Sequence, residues 1–212
     1  MQANLSLYLI ADPDIPTHRS FFETVEEAIK GGVTIVQLRA KKRPLEEFLK
    51  LARTMRYLTL QYRIPFIVND NVEIAQAVDS DGVHLGQSDT SIEQAREILG
   101  FNKIVGLSAH TPEEARDAEE RSADYVGVGS VYSTTSKEDI SGIIGATGLV
   151  EVRKSVKLPM VAIGGIDASN VSDVIETGVD GVAVISSIMK SDRPREEARI
   201  IRDIINRKRI TK

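Results

Sequence analysis

Two rhythms of hydrophobic and polar positions take turns along this chain from one end to the other. Short runs rich in Val, Ile and Leu cover residues 5–11, 34–40, 65–69, 82–85, 103–108, 125–129, 160–164 and 181–185. Runs so continuously apolar suit strands buried on both faces, the habit of parallel sheets. Between them, apolar residues three and four apart on a charged background predict helices at 20–30, 45–62, 72–78, 91–99, 112–122, 148–155, 168–176 and 195–206. Several of these open on Ser, Thr or Pro, as helix starts do. Strand entries also echo one another, as Gly31-Gly32-Val33, Ser80-Asp81-Gly82-Val83, Ala123-Asp124-Tyr125-Val126 and Gly178-Val179-Asp180-Gly181-Val182, a diffuse repeat of one βα unit. A doubly wound open sheet alternates in a similar way, but eight units within 212 residues favour closure. The expectation is an α/β chain that forms a single (β/α)8 TIM barrel over residues 1–212.

Composition narrows the possibilities without changing that picture. The 42% hydrophobic content has no break that would divide the chain, so one domain is expected. With 27 basic and 31 acidic residues the net charge is -4, which offers no general attraction to nucleic acid or an anionic membrane. Any anion must then be held by a local site. The absence of cysteine excludes disulfides, thiolate metal sites and cysteine nucleophiles. The N-terminus lacks a basic lead and meets Asp12 and Asp14 too early for a secretory segment, and no later apolar run approaches membrane-spanning length. A cytoplasmic protein is expected, with homo-oligomerisation left open. The basic Arg207-Lys208-Arg209 reads as a frayed helix end.

Chemistry in such a barrel collects where strands end. At the end of the second strand, Gln37, Arg39 and Lys41 share one face, opposite Leu38. They are either an anion-binding set or a solvated basic strand end continued by Lys42 and Arg43. Asn69-Asp70-Asn71 ends the third strand, and Gln87-Ser88-Asp89 follows the fourth. Carboxylates on neighbouring strands repel unless a cation joins them, and Mg2+ commonly takes one or two protein carboxylates and leaves the rest of its shell to water and phosphate. Asp70 and Asp89 are the candidate pair; the competing explanation is helix capping, since each stands just before a helix. Ser108 and His110 share a face at the end of the fifth strand, with Thr111 a candidate N-cap before Pro112. His84 reads as structural, and neither it nor His110 has the spacing of a triad or zinc ligand.

The sixth strand is followed by a hydroxyl-rich loop carrying Thr134, Thr135, Ser136 and Lys137, read either as a segment that closes on a phosphate or as an ordinary surface loop. Gly164-Gly165-Ile166 and Ile185-Ser186-Ser187 end the last two strands, where barrels often hold a phosphate on backbone N–H groups. Basic groups and a metal pair on one side and a backbone-lined anion site on the other imply two phosphorylated ligands.

Taken in order, Gln37-Leu38-Arg39-Ala40-Lys41, Ile67-Val68-Asn69-Asp70, Gly82-Val83-His84-Leu85-Gly86-Gln87, Gly106-Leu107-Ser108-Ala109-His110-Thr111, the 134–137 loop, Ala162-Ile163-Gly164-Gly165-Ile166 and Val184-Ile185-Ser186-Ser187-Ile188 resemble the thiamine-phosphate synthase family from Leu7 through Met189. The resemblance implies that Gln37, Arg39, Lys41 and Asn69 hold an aminopyrimidine diphosphate, that Asp70 and Asp89 hold Mg2+, and that Ser108 and Lys137 meet the diphosphate. Thr134, Thr135, Ser136, Gly165, Ile185 and Ser186 would surround a thiazole phosphate. By the same resemblance the thiazole nitrogen attacks the pyrimidine methylene carbon as pyrophosphate leaves an ionised pyrimidine cation. Catalysis would then be electrostatic, carried by Arg39, Lys41, Ser108, Lys137 and Mg2+. The family loop usually has proline and threonine where this chain has Ser133 and Ser136, and the 138–148 stretch departs from the family's proline-rich version. Thiazole tautomerases of the same superfamily carry a histidine just after the sixth strand, where this chain has Ser130. A non-catalytic phosphate sensor is a further alternative, because fold alone does not establish activity.

Overall fold

The structure is a computed structural model that describes residues 3–134 and 142–210. Strand and helix alternate as β1 (Leu7–Ala11), α1 (Phe21–Lys30), β2 (Ile35–Leu38), α2 (Leu45–Tyr62), β3 (Phe66–Asn69), α3 (Val72–Ala77), β4 (Gly82–Leu85), α4 (Ile92–Leu99), β5 (Ile104–Ala109), α5 (Pro112–Glu120), β6 (Tyr125–Val128), α6 (Gly145–Ser155), β7 (Met160–Ile163), α7 (Val171–Glu176), β8 (Gly181–Val184), α8 (Ser186–Met189) and α9 (Pro194–Ile210). The strands pair in parallel in sequence order, and β1 closes on β8 to complete an eight-stranded barrel. The expected TIM barrel is the observed one.

Closure explains why the strands read as unbroken apolar runs. Along β1, Leu7, Leu9 and Ala11 pack outward into the core shared with Val25 and Ala28 of α1 and Ile201 of α9. Tyr8 and Ile10 turn inward, where they meet Ile35, Ile67, Tyr125, Val161, Ala183 and Ile185 in a separate core inside the barrel. The two-residue alternation is intact, but both of its faces are dry.

The echo at strand entries proves to be a repeated clasp. Asp81 takes a hydrogen bond from the Phe66 N–H at 2.8 Å, Asp124 from Val105 at 2.7 Å and Asp180 from Met160 at 2.8 Å. The main-chain N–H of each aspartate returns a bond to the carbonyl of that same residue. An arginine from the helix before each pair, Arg56, Arg96 or Arg153, completes the carboxylate at 2.7, 2.8 and 3.0 Å. Thr34 stands in for the acid between β1 and β2, its Oγ1 accepting the Leu7 N–H at 3.1 Å. Four strand pairs are thus tied at their entry ends.

Two helical features differ from the expectation. A single turn, α8, directly follows β8, too short to display a period in sequence. The basic tail is not frayed: α9 runs to Ile210, Arg209 donates to the Ser6 hydroxyl and the Asp180 carbonyl, and Lys208 pairs with Glu176. Among the described residues no helix is long and apolar enough to cross a membrane.

Candidate active site

The exit ends of the strands surround one cavity of about 590 Å³. Arg39, Lys41, Asn69, Asp70, Asp89, Ser108, Thr134, Gly165, Ile185 and Ser186 all line it, so the expected rim residues from seven strands converge. Gln37 is not among the lining residues: it is buried in the barrel, its Nε2 donating to the Tyr8 hydroxyl at 2.9 Å. Thr135, Ser136 and Lys137 lie outside the described residues.

Neither carboxylate of the candidate metal pair caps a helix. Asn71 caps α3 by accepting the Ile74 N–H at 2.6 Å, and Ser91 caps α4 in a capping box with Gln94. Asp70 instead sits at φ 61, a left-handed conformation that costs most residues about 1–2 kcal/mol and that Asp and Asn tolerate best. Its N–H is held by the His84 carbonyl at 2.8 Å. Burial pushes the Asp70 carboxyl above the usual carboxylate range, and the hydrogen bond and charge of the adjoining Asp89 push it further, against the pull of Lys41. Lys41 Nζ lies 3.2 Å from Asp70 Oδ2, and Asp89 Oδ2 accepts the Gly86 N–H at 2.7 Å. Two hard oxygen donors in reach of each other, one resisting ionisation, suit a divalent cation in a way that two isolated surface acids do not. Among the described residues no set of three or more His, Asp or Glu side chains converges, so an ion here would draw the rest of its shell from water and phosphate, as Mg2+ does.

On the neighbouring strand end, Arg39 is held by a carboxylate that the linear order concealed. Asp12, buried just beyond β1, receives Arg39 Nη1 at 2.5 Å and braces its own turn by accepting the Asp14 N–H at 2.9 Å. The guanidinium is therefore fixed before any anion arrives. Asp12 meets the same strand-end rule as Asp70; what hid it was the sequence separation of 27 from its partner.

Across the cavity the backbone itself approaches the space where a ligand would lie. Gly164 and Gly165 have φ of 109 and 64, and a Cβ would meet the Ser130 hydroxyl at 2.2 Å in the first case and the Ser133 carbonyl oxygen at 2.6 Å in the second. Only glycine fits both the conformation and the clearance. Ile185 and Ser186, at the start of α8, close the same wall.

Comparison with known proteins decides what this double site belongs to. The family model described as thiamine monophosphate synthase matches residues 7–188. A thiamine-phosphate synthase of Clostridium acetobutylicum is 46% identical over 201 residues, which is 95% of each chain. The chain belongs to the thiamine monophosphate synthase family. A second such synthase, from Clostridium novyi, is 48% identical over 91% of this chain and 94% of its own. The structure of a thiamine phosphate pyrophosphorylase from Pyrococcus furiosus superposes with a TM-score of 0.88 at 42% identity, covering 98% of both chains.

Within this thiamine monophosphate synthase fold, three further residues line the cavity: His84, read from sequence as structural, His110, placed at the strand end but given no role, and Glu114, which the sequence did not single out. His84 lines the cavity, with Nε2 3.0 Å from the Ser108 hydroxyl and Nδ1 2.9 Å from that of Tyr125. His110 also lines it, and its Nδ1 meets the Gly129 carbonyl at 2.5 Å. Glu114 reaches the same wall from the first turn of α5 and accepts the His110 N–H at 2.6 Å. Helical position alone made Glu114 an ordinary first-turn acid.

Proposed function

We propose that this chain works as a thiamine-phosphate synthase, a transferase that joins an aminopyrimidine diphosphate to a thiazole phosphate and releases pyrophosphate. The observation that carries it is one cavity with a cationic, carboxylate-bearing wall facing a glycine-lined one, which suits two phosphorylated ligands held apart by their different anion sites.

Asp70 and Asp89 would hold Mg2+, which would supply positive charge against the diphosphate. Arg39, fixed by Asp12, and Lys41 face the same diphosphate, and Ser108 adds a hydroxyl. Each gains in strength as negative charge collects on the departing pyrophosphate, so the site favours bond breaking over mere binding. Asn69, buried beside Asp70, belongs to the pyrimidine side, with Lys137 added on the diphosphate by the family resemblance. Gly165, Ile185, Ser186 and Thr134 form the thiazole phosphate side, with Thr135 and Ser136 added by the family resemblance. The thiazole nitrogen attacks through its own lone pair, so no side chain need remove a proton from it. Positioning and charge carry the rate.

The test is incubation with both substrates, with Mg2+ and with chelator, followed by chromatography. Mg2+-dependent thiamine phosphate is the expected result; intact substrates would overturn the proposal, and isomerised thiazole would favour a tautomerase.

A further inference from the structure

Five side chains from five strands form a continuous hydrogen-bonded line from the buried interior of the barrel to the cavity. Gln37 Nε2 donates to Tyr8 Oη at 2.9 Å, Tyr8 Oη lies 2.8 Å from Tyr125 Oη, Tyr125 Oη 2.9 Å from His84 Nδ1, and His84 Nε2 3.0 Å from Ser108 Oγ. Gln37, Tyr8 and Tyr125 are no more than 2% exposed, so each must find its partners within the barrel. The neighbouring strands leave space for the line: a Cβ on Gly106 would lie 2.2 Å from the Tyr125 ring, and one on Gly127 3.0 Å from His84 Cε1.

We propose that Tyr8, Tyr125 and His84 are positioning residues that hold the Ser108 hydroxyl as a hydrogen-bond donor toward the phosphate oxygens of the pyrimidine diphosphate. The proposal rests on Ser108 contacting that diphosphate. Its direction begins at Gln37, whose amide nitrogen has no lone pair and can only donate. Tyr8 accepts that bond and turns its own proton to Tyr125; Tyr125 passes its proton to His84 Nδ1. Neutral His84 then carries its hydrogen on Nε2 and donates to Ser108 Oγ. With its oxygen accepting from the imidazole, Ser108 is left to donate into the cavity. Were the imidazole reversed, Ser108 would donate to bare Nε2 and present lone pairs to an anion. Burial raises the pKa of both tyrosines above the ordinary phenol value, so the line keeps its protons. A donor oriented in advance requires no reorganisation as charge builds on the leaving group.

Histidine ring-nitrogen NMR reads the direction without turnover, and the chain has only three histidines to assign. The expected spectrum has His84 Nδ1 bare and Nε2 protonated, with Tyr8→Phe or Tyr125→Phe mixing the two tautomers; protonated Nδ1 in the parent protein overturns the proposal. Kinetically, Tyr125→Phe should lower kcat about tenfold with KM for the thiazole phosphate unchanged. In a Ser108→Ala background the same change should cost less than about twofold. Equal losses in both backgrounds would mean general damage to the barrel and overturn the proposal, as would full activity in Ser108→Ala alone. If Tyr125→Phe does not fold, Tyr8→Phe, one bond further from the cavity, reads the same coupling. Failure of the parent protein to make thiamine phosphate would count against the functional reading alone, since the ring-nitrogen signals judge the line independently.

Discussion

Aspartates at the two ends of this barrel live opposite lives. At the strand entries Asp81, Asp124 and Asp180 each accept a backbone N–H and an arginine. At the exits Asp70 and Asp89 stand together, and Asp70 resists ionisation because burial and Asp89 outweigh Lys41. The same side chain is a clasp between strands in one place and one of two mutually repelling carboxylates in the other. Residue type does not separate the two; what does is whether a second carboxylate stands beside the first, as Asp89 does beside Asp70. In a barrel, exit loops can hold repelling groups together because the entry clasps and the helix shell carry stability.

The sharpest way to break the comparison is Asp70→Asn, which keeps the left-handed backbone that Ala would strain. Turnover with Mg2+ should fall to background while circular dichroism and gel-filtration behaviour stay unchanged; substantial residual activity would remove the metal site. Lys41→Ala should lower kcat by roughly 10²- to 10³-fold, as for loss of one preorganised transition-state contact. A raised KM with unchanged kcat would instead assign Lys41 to ground-state binding. At the opposite end Asp124→Ala should leave kcat and KM alone and destabilise the fold by about 1–3 kcal/mol, because the Val105 N–H loses its acceptor and Arg96 loses its carboxylate, keeping the Lys103 and Ser122 carbonyls. For a chain of this size that lowers Tm by roughly 2–4 °C per kcal/mol.

The smallest effect concerns pH and the cation. Since the folded Asp70 pKa is raised, the native state binds that proton more readily than the unfolded chain. The resulting penalty is absent below the unfolded carboxyl pKa of about 3.9, grows as pH rises through the folded value, and is complete above it. Without metal, Asp70→Asn should therefore melt higher than the parent protein at neutral pH, and the difference should vanish on acidification. Mg2+ should raise the parent Tm at neutral pH and leave that of the variant unmoved. A parent melting curve indifferent to Mg2+ would count against the paired-carboxylate site.

Much of the site was legible because of one geometric rule: polar residues ending barrel strands reach the same rim. That rule located Arg39, Lys41, Asn69, Asp70, Asp89, Ser108 and Gly165 without any knowledge of which would touch. It misplaced nothing at Gln37 in terms of face, yet one step of depth along β2 separates a lumen residue from a cavity residue, and periodicity does not measure depth. Glu114 was concealed by its helix, and Tyr8 and Tyr125 by looking like core aromatics, which by packing they are.

By itself the sequence determined the alternation, the closure and the list of strand-end groups, since each depends on periods of a few residues and on chain length. Tertiary structure alone decided the partnerships. Asp12 meets Arg39 across 27 residues and Tyr8 meets Tyr125 across 117, while Asn71 and Ser91 relieve Asp70 and Asp89 of capping. Local patterns choose the face a side chain takes; only the register and closure of the barrel choose what stands opposite it.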